Sequence, residues 1–212
     1  MVAVAEIPQE QGILLEGVSW NLYEQLLEEI GDRHLFITFD KGRLEIMSPS
    51  WKHERYSELF GQLIRIIARE FSSPYISGGS TTFRSTASDC GLEPDRCFYI
   101  RNVHAVQGKN EIDLNVDPPP DLAVEIEISR RLSDRIEVYR KLSVPEIWRY
   151  DGTRLTLLHL RETGYQPSDR SLAFPHLQID QLPQLLGISG EMDELAWEDA
   201  VRAKLREASP RR

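Results

Sequence analysis

The spacing of apolar residues along the chain predicts several helices. In residues 52–71 the apolar side chains recur at intervals of three and four, so they line one face of a helix. A similar pattern in residues 19–31 is bounded by Ser19, a favourable N-cap residue, and by Gly31, a common helix stop. Further helices are predicted over residues 191–207 and, with Ser133 or a neighbour as its cap, in a shorter segment that carries Ile136, Tyr139 and Leu142.

Apolar or alternating runs between these helices predict β-strands. Turn residues at 40–42 and 151–152 separate two pairs of such runs, which predicts two hairpins. The strands are predicted in residues 34–39, 43–47, 75–84, 93–100, 120–128, 145–150 and 154–160. Because strands and helices alternate without a repeat or a flexible linker, we predict one α/β domain with a mixed sheet over residues 1–212. Residues 1–12 and 208–212 are expected to be flexible.

The stretch PPPDLAVEIEI, residues 118–128, combines the pattern of a buried strand with acidic residues. Because side chains alternate along a strand, Asp121, Glu125 and Glu127 share one face while the apolar residues share the other. An amphipathic strand with its polar face in water explains this pattern. A divalent-metal site is the second explanation. Other parts of the sequence are needed to choose between the amphipathic strand and the metal site.

Composition and charge narrow the range of functions. The chain has 212 residues, of which 41% are hydrophobic and 28% charged, so it can form one compact domain with a sizeable core. It shows neither a signal peptide nor an apolar run of membrane-spanning length, which favours a cytoplasmic protein that does not enter a membrane. The two cysteines, Cys90 and Cys97, have no metal-ligand spacing and are expected to be reduced and structural.

The overall charge and the local charge of residues 130–141 differ in sign. A formal net charge of -9 argues against the evenly basic surface of a strong nonspecific nucleic-acid binder. Residues 130–141 nevertheless contain five basic residues against two acidic ones, beside the acidic strand. This local excess is typical both of a solvated helix face with paired charges and of a face turned to phosphates. The sequence leaves both alternatives open.

Several known types of catalytic site are excluded by spacing. His53 and Glu54 begin an HE pair, but position 57 is a serine, so the two-histidine zinc motif of a helix is absent. The chain also lacks a GxxxxGK phosphate loop and a GxSxG nucleophile elbow, and its histidines are scattered. The acidic residues are therefore the strongest candidates for chemistry.

An aspartate and two glutamates occur on strands in an order that suggests a metal site. Pro94 fixes the entry to one predicted strand with Asp95 at its mouth, and Glu125 and Glu127 lie on a later strand. If the two strands pair, these carboxylates converge. Carboxylates about 4 Å apart repel by about 4 kcal/mol per pair at an effective dielectric of about 20, so such a cluster needs protonation or a hard cation. Magnesium, which prefers oxygen ligands, fits best.

The order of these motifs resembles a known family of nucleases. A helix with HE, a strand opening with PD, the strand PDLAVEIEIS and a helix running into YRKLSVPEIWRYD are similar to the Uma-two family of endonucleases, within the PD-(D/E)XK restriction-endonuclease-like superfamily. The resemblance covers about residues 35–160, and VPEIW and PDLxVE are its most specific parts. It implies a restriction-endonuclease-like mixed β-sheet core flanked by helices, with an added N-terminal helix and hairpin.

The resemblance also implies roles for individual residues. The PD aspartate of the family matches Asp95, and the acid of the following strand matches Glu125. The usual third member is a lysine, but Glu127 stands two residues after Glu125 in this chain. Arg135 stands four residues before Tyr139, where relatives often supply the lysine instead. Arginine can stabilise a phosphate, but it is a poor base because it does not readily lose a proton.

Other residues join the candidate set through the same resemblance. Glu54 resembles an additional acid near the metal that such folds carry on the first core helix, and Glu45 is a weaker candidate of this kind. Lys141 is the fallback for the missing lysine.

The resulting hypothesis is an endonuclease that hydrolyses DNA phosphodiester bonds with Mg²⁺ or Mn²⁺. Its predicted catalytic residues are Asp95, Glu125, Glu127 and Arg135, and its predicted metal ligands are Asp95, Glu125, Glu127 and Glu54. A homodimer is expected, because two symmetric sites suit cleavage of both strands of a duplex. The alternative is a catalytically inactive nuclease-fold protein that serves as a binding module or scaffold.

Overall fold

The computed structural model describes residues 11–31, 33, 35–129 and 131–208, which form helices around two β-sheets. In chain order the strands are β1 (Gln11–Glu16), β2 (Phe36–Asp40), β3 (Arg43–Ser48), β4 (Ile76–Gly79), β5 (Phe83–Ser85), β6 (Cys90–Leu92), β7 (Arg96–Tyr99), β8 (Leu122–Ile126), β9 (Glu146–Tyr150), β10 (Leu155–Arg161) and β11 (Gly164–Ser168). The α-helices are α1 (Trp20–Ile30), α2 (Trp51–Glu70), α3 (Val103–Val106), α4 (Arg135–Lys141), α5 (Leu182–Gly187) and α6 (Glu194–Ala208).

The two ends predicted to be flexible lie mostly outside the described residues, which exclude 1–10 and 209–212. Residues 11 and 12 are described, and they belong to β1, where they pair with residues 48 and 47 of β3. No described helix has the length and apolar character needed to cross a membrane.

The predicted mixed sheet is present as the larger of the two sheets. Its strand order is β11-β10-β9-β8-β7-β4, and all its pairings are antiparallel except the parallel pair β8–β9. The predicted hairpin around residues 151–152 is confirmed as β9 and β10. The acidic strand β8 therefore lies in the interior of the sheet, between β7 and β9.

A second sheet, antiparallel throughout, was not predicted as a separate unit. Its order is β1-β3-β2-β6-β5, and it contains the predicted hairpin β2–β3. The stretch 75–84, predicted as one strand, divides between β4 and β5 in different sheets. The chain turns between them at Gly79, whose φ of 59° is in the left-handed region that favours glycine.

The helices predicted from apolar spacing are confirmed. Ser19 caps α1 by accepting a hydrogen bond from the N–H of Leu22, and Ser50 caps α2 in the same way through His53. The short helix α4 is capped by Asp134, a neighbour of the residue considered for that role. Cys90 and Cys97 are buried and form no disulfide.

The alternation of side chains along β8 decides which residues reach the candidate site. Leu122, Val124 and Ile126 point to the main core, where they pack with residues of α2 and α6. Ala123 points to the opposite face, against α4 and against β5 and β6 of the antiparallel sheet. Because Glu125 shares the face of Ala123, it is directed into the layer between the mixed sheet and α4.

Candidate active site

Asp95 and Glu125 lie side by side at neighbouring strand ends. Asp95 immediately precedes β7, which pairs antiparallel with β8, and its Oδ2 accepts a 2.6 Å hydrogen bond from the backbone N–H of Ile126. Asp95 is 2% exposed and Glu125 is 0% exposed. The strand pairing thus brings together the two acids that the family pattern matches.

Asp95 is surrounded by positively charged and hydrogen-bonding groups. His53 Nε2 lies 3.2 Å from Asp95 Oδ2, and a terminal nitrogen of Arg131 lies 3.4 Å from Oδ1. Burial by itself would raise the pKa of Asp95. The hydrogen bond from His53 and the charges of Arg131 and Arg135 outweigh this effect and lower the pKa to about 2. Asp95 is therefore ionised at neutral pH.

Glu125 is held by Arg135 and Tyr139 of α4. The Nε and one terminal nitrogen of Arg135 donate to the two oxygens of Glu125, each over 2.7 Å, and the Tyr139 hydroxyl donates a short hydrogen bond to Oε1. Burial tends to lower the pKa of Arg135, but the charge of Glu125 raises it above the usual range. Burial, followed by the charge of Glu125, raises the pKa of Tyr139. Arg135 and Tyr139 thus stay protonated and fix the orientation of Glu125.

The remaining hydrogen-bonding capacity of Arg135 is directed at protein atoms. Arg135 donates to the backbone oxygen of Glu93 over 2.6 Å and to the hydroxyl of Thr38. Its side chain is 2% exposed. Arg135 therefore positions Glu125, and a bound phosphate would have to compete with these acceptors.

Glu127 and Asp121 do not join Glu125, although all three share a face in an extended strand. Glu127 follows β8 and forms a bidentate ion pair with Arg149 of β9, the residue that lies opposite Glu125 in the sheet. Asp121 precedes β8 and accepts hydrogen bonds from the backbone N–H groups of residues 100–102. Its role in this arrangement is to hold the chain after β7.

The other candidates lie on different elements. Glu54 is in the first turn of α2, where its Oε1 is 3.4 Å from His53 Nδ1 and about a third of its side chain is exposed. Glu45 of β3 is buried and accepts hydrogen bonds from Leu132 and Ser133, so it fixes the loop before α4. Lys141, at the end of α4, pairs with Asp40.

Arginines supply the cations that the acidic pair was predicted to need. Arg131 approaches Asp95 to 3.4 Å and Arg135 forms an ion pair with Glu125 at 2.7 Å, so each acid has a positively charged neighbour. These arginines offset part of the repulsion that was assigned to protonation or a hard cation, and the metal stays a prediction. Within the described part of the chain, no group of three or more acidic, histidine or cysteine side chains could hold a metal ion.

The donor set nevertheless fits one class of metal ion. Mg²⁺ is commonly bound by one or two carboxylates while waters and substrate phosphates supply its other ligands. Asp95 and Glu125 offer two carboxylates in this manner, at a point where the charge of Arg135 acts on both. Ion binding would require the arginines to release carboxylate oxygens.

A pocket of about 390 Å³ adjoins the acidic pair. Its lining includes Arg131 and Arg135, which contact the two acids, and also Arg149 with its partner Glu127. A larger cavity of about 730 Å³ lies between α1 and residues 110–115 and contains none of the predicted site residues. The smaller pocket is therefore the one connected to the candidate chemistry.

The mixed sheet flanked by helices, with an acidic pair at adjoining strand ends, is a restriction-endonuclease-like architecture. The chain belongs to the Uma2 family, whose model is described as "Putative restriction endonuclease" and matches residues 20–193. The resemblance in the motifs is thereby confirmed, and nuclease is the class of the family. No curated protein matches the chain.

Sequence reasoning did not assign roles to His53 and Arg131. His53 is fully buried against Asp95, whereas its place in the helical pattern suggested a face away from the core. The HE pair at the start of α2 was a usable signal for it. Arg131 belongs to the local charge excess of residues 130–141, and no sequence spacing connects it with Asp95.

The VPEIW motif has a structural role in this fold. Glu146 is 0% exposed and accepts hydrogen bonds from the indole N–H of Trp148 and from the backbone N–H groups of Leu172 and Ala173. Through these hydrogen bonds Glu146 anchors residues 172–173, which follow β11, to strand β9 of the mixed sheet. This role explains the motif without placing it in the chemistry.

Replacing Glu146 by alanine is expected to lower the free energy of unfolding by about 3 kcal/mol, because buried N–H donors lose their acceptor. Chemical denaturation measures this loss. Glu146→Gln keeps one acceptor oxygen and should lose less, and Glu162→Ala, in an exposed turn, should change stability by no more than about 0.5 kcal/mol. A Glu146→Ala protein of wild-type stability would contradict the structural role.

Proposed function

We propose that this protein is a metal-dependent endonuclease that hydrolyses DNA phosphodiester bonds at the Asp95–Glu125 pair. The observation that supports it best is the meeting of these buried acids beside a pocket lined by Arg131 and Arg149. Anionic metal ligands next to cationic side chains suit a phosphodiester, whose hydrolysis depends on positioning and on neutralising negative charge. Of the basic residues in 131–141, Arg131 and Arg135 line this pocket, whereas Arg140 and Lys141 pair with Glu137 and Asp40.

Asp95 and Glu125 would hold Mg²⁺ or Mn²⁺, with Glu54 and Glu127 as further acids nearby. Such an ion, when bound, activates water and neutralises charge on the phosphate oxygens. Arg135 and Tyr139 keep Glu125 in a fixed orientation. His53 orients the ionised Asp95 through Nε2. Arg135 acts through Glu125 and is no base, because its pKa is raised.

A second candidate is a catalytically inactive nuclease-fold protein that binds nucleic acid or serves as a scaffold. One observation favours it: both oxygens of Glu125 are occupied by Arg135 and Tyr139, and neither position 127 nor position 135 carries the lysine of the family pattern. Breaking an ion pair of this kind destabilises the fold whether or not a metal ever binds, so the pair also has a structural use.

Incubation of purified protein with supercoiled plasmid decides between the two candidates. The nuclease predicts nicked and linear products with Mg²⁺ or Mn²⁺ and none with EDTA. Parallel single-stranded and duplex DNA and RNA oligonucleotides identify the substrate. An Asp95→Asn protein prepared in the same way controls for contaminating nucleases, and equal cleavage by the two proteins would refute the proposed function.

The proposed enzyme is a cytoplasmic homodimer, since paired symmetric sites suit a two-stranded substrate. Light scattering is expected to give about twice the 24.4 kDa mass of the chain. A mass of one chain at high protein concentration would contradict the dimer and leave cleavage of single strands as the simpler activity.

A further inference from the structure

One terminal nitrogen of Arg131 lies at nearly equal distances from three acceptor oxygens and from His53 Nε2. Asp95 Oδ1 and Oδ2 are 3.4 and 3.5 Å away, the backbone oxygen of Ile126 is 3.3 Å away and His53 Nε2 is 3.4 Å away. Strong hydrogen bonds from arginine to carboxylate measure about 2.7–2.9 Å. The nitrogen thus sits centrally among these atoms without a close contact to any of them.

The rest of the Arg131 side chain is also weakly held. The side chain is 9% exposed, and its Nε is buried with no hydrogen-bond partner among the described residues. Arg135 differs, because it makes two 2.7 Å contacts to Glu125 and further contacts to backbone and hydroxyl oxygens. Of the two arginines on the acidic pair, Arg131 is therefore the easier one to displace.

A divalent ion and Arg131 compete for the same acceptors. Mg²⁺ would take the same Asp95 oxygens as ligands, so its charge would come close to the terminal nitrogen of Arg131. Two cations this close repel each other strongly in a site with little water. Ion binding at Asp95 and the present position of Arg131 therefore exclude each other.

The adjoining pocket has room for the Arg131 side chain in a second position. Arg131 already lines this pocket together with Arg149, whose side chain is 39% exposed. Arg149 is neutralised by Glu127, and Asp134 adds another negative charge to the pocket wall. A second arginine turned into the pocket would give it the positive charge that binding of a phosphate requires.

We propose that Arg131 is an exchangeable counter-cation, which occupies the Asp95 carboxylate in the metal-free protein and is released by a divalent ion to bind a nucleic-acid phosphate beside Arg149. This inference rests on the proposed function, because it assigns a use to the same metal site. It makes metal binding and phosphate binding cooperative, since each ligand favours the released position of Arg131. The wild-type protein therefore binds the metal weakly by itself and more tightly when nucleic acid is also bound.

The test is the metal affinity of Arg131→Gln, measured by calorimetry with Mn²⁺ in the absence of nucleic acid. Removing the competing cation is expected to tighten Mn²⁺ binding about tenfold, within the usual range of coupling between two ligands. Arg131→Lys keeps a charge at the site and should bind Mn²⁺ much as the wild type does. Arg202→Gln removes the same charge from α6, outside the site, and should leave the affinity unchanged.

The second measurement is the affinity for a short DNA duplex with and without Ca²⁺, which uses the same class of oxygen ligands. Ca²⁺ should tighten duplex binding by the wild type about tenfold and have little effect on Arg131→Gln. An Arg131→Gln protein that is folded by circular dichroism but binds Mn²⁺ no better than the wild type overturns the proposal. If Arg131→Gln fails to fold, the wild type alone provides the test. A wild-type affinity for the duplex that is the same with and without Ca²⁺ also overturns the proposal.

These outcomes are separate from the fate of the proposed function. A wild type that binds Mn²⁺ with the predicted response to Arg131→Gln but never nicks a plasmid refutes catalysis and supports the exchange. A wild type that nicks a plasmid while Arg131→Gln leaves metal affinity unchanged refutes the exchange and supports catalysis.

Discussion

Asp95→Asn is expected to reduce DNA cleavage about 1,000-fold or more. The substitution keeps the shape of the side chain and removes the negative charge that would hold a divalent ion. Glu125→Gln should have an effect of similar size for the same reason. Plasmid nicking rates with Mg²⁺ measure the loss, and calorimetry with Mn²⁺ should show weakened binding in both variants.

The stability of these variants has to be measured with their activity. Arg131 and Arg135 already neutralise the acidic pair, so loss of Asp95 leaves positive charge uncompensated and should destabilise the fold by about 1–3 kcal/mol. Asp199→Asn, on an exposed part of α6, makes the same chemical change and should keep wild-type stability and activity. Wild-type cleavage by folded Asp95→Asn and Glu125→Gln proteins would remove both acids from the mechanism.

Arg135→Ala is expected to lower the free energy of unfolding by about 3–5 kcal/mol, the largest stability loss of the variants considered. The loss is large because Glu125 would remain charged and buried without its bidentate partner. For a chain of this size each kcal/mol lowers Tm by about 2–4 °C, so a decrease of roughly 6–20 °C should follow. Denaturant unfolding and calorimetry measure the effect.

Two comparisons separate the buried pair from ordinary surface charge. Arg140 also lies on α4 but pairs with Glu137 in solvent, so Arg140→Ala should cost no more than about 0.5 kcal/mol. Replacing Arg135 by Met together with Glu125 by Leu removes both buried charges and should recover much of the lost stability. If Arg135→Ala is as mild as Arg140→Ala, the ion pair does not hold the site together.

Arg135→Lys addresses the departure from the family pattern. Lysine keeps the positive charge but loses the planar pair of donors that Arg135 presents to Glu125, so stability should fall by less than in Arg135→Ala. The lysine restores the residue type that the family resemblance implies at this position, and Arg135→Lys should retain part of the cleavage activity. A stable Arg135→Lys protein with wild-type cleavage would assign Arg135 a positioning role alone.

The antiparallel sheet contains strands that local sequence patterns do not predict. β5 and β6 have three residues each, too few to display a period, and β6 pairs with β2, which is far away in the chain. The segment 75–84 was predicted as one strand, and its division between two sheets depends on which partner strands are available. Strand pairing over such distances is set by the packing of the whole domain.

The sequence by itself determined the elements with a long period or a clear turn, namely α1, α2 and the two hairpins, because apolar spacing, caps and turn residues act locally. Together with the family pattern, it also identified Asp95 and Glu125 as a pair. The tertiary structure decided what surrounds them. Arg131 reaches Asp95 from the loop after β8, and Glu127 pairs with Arg149 of β9, because loop conformation and strand pairing place these arginines beside the acids. Charge pairing in a buried site depends on these long-range contacts, which no spacing along the chain encodes.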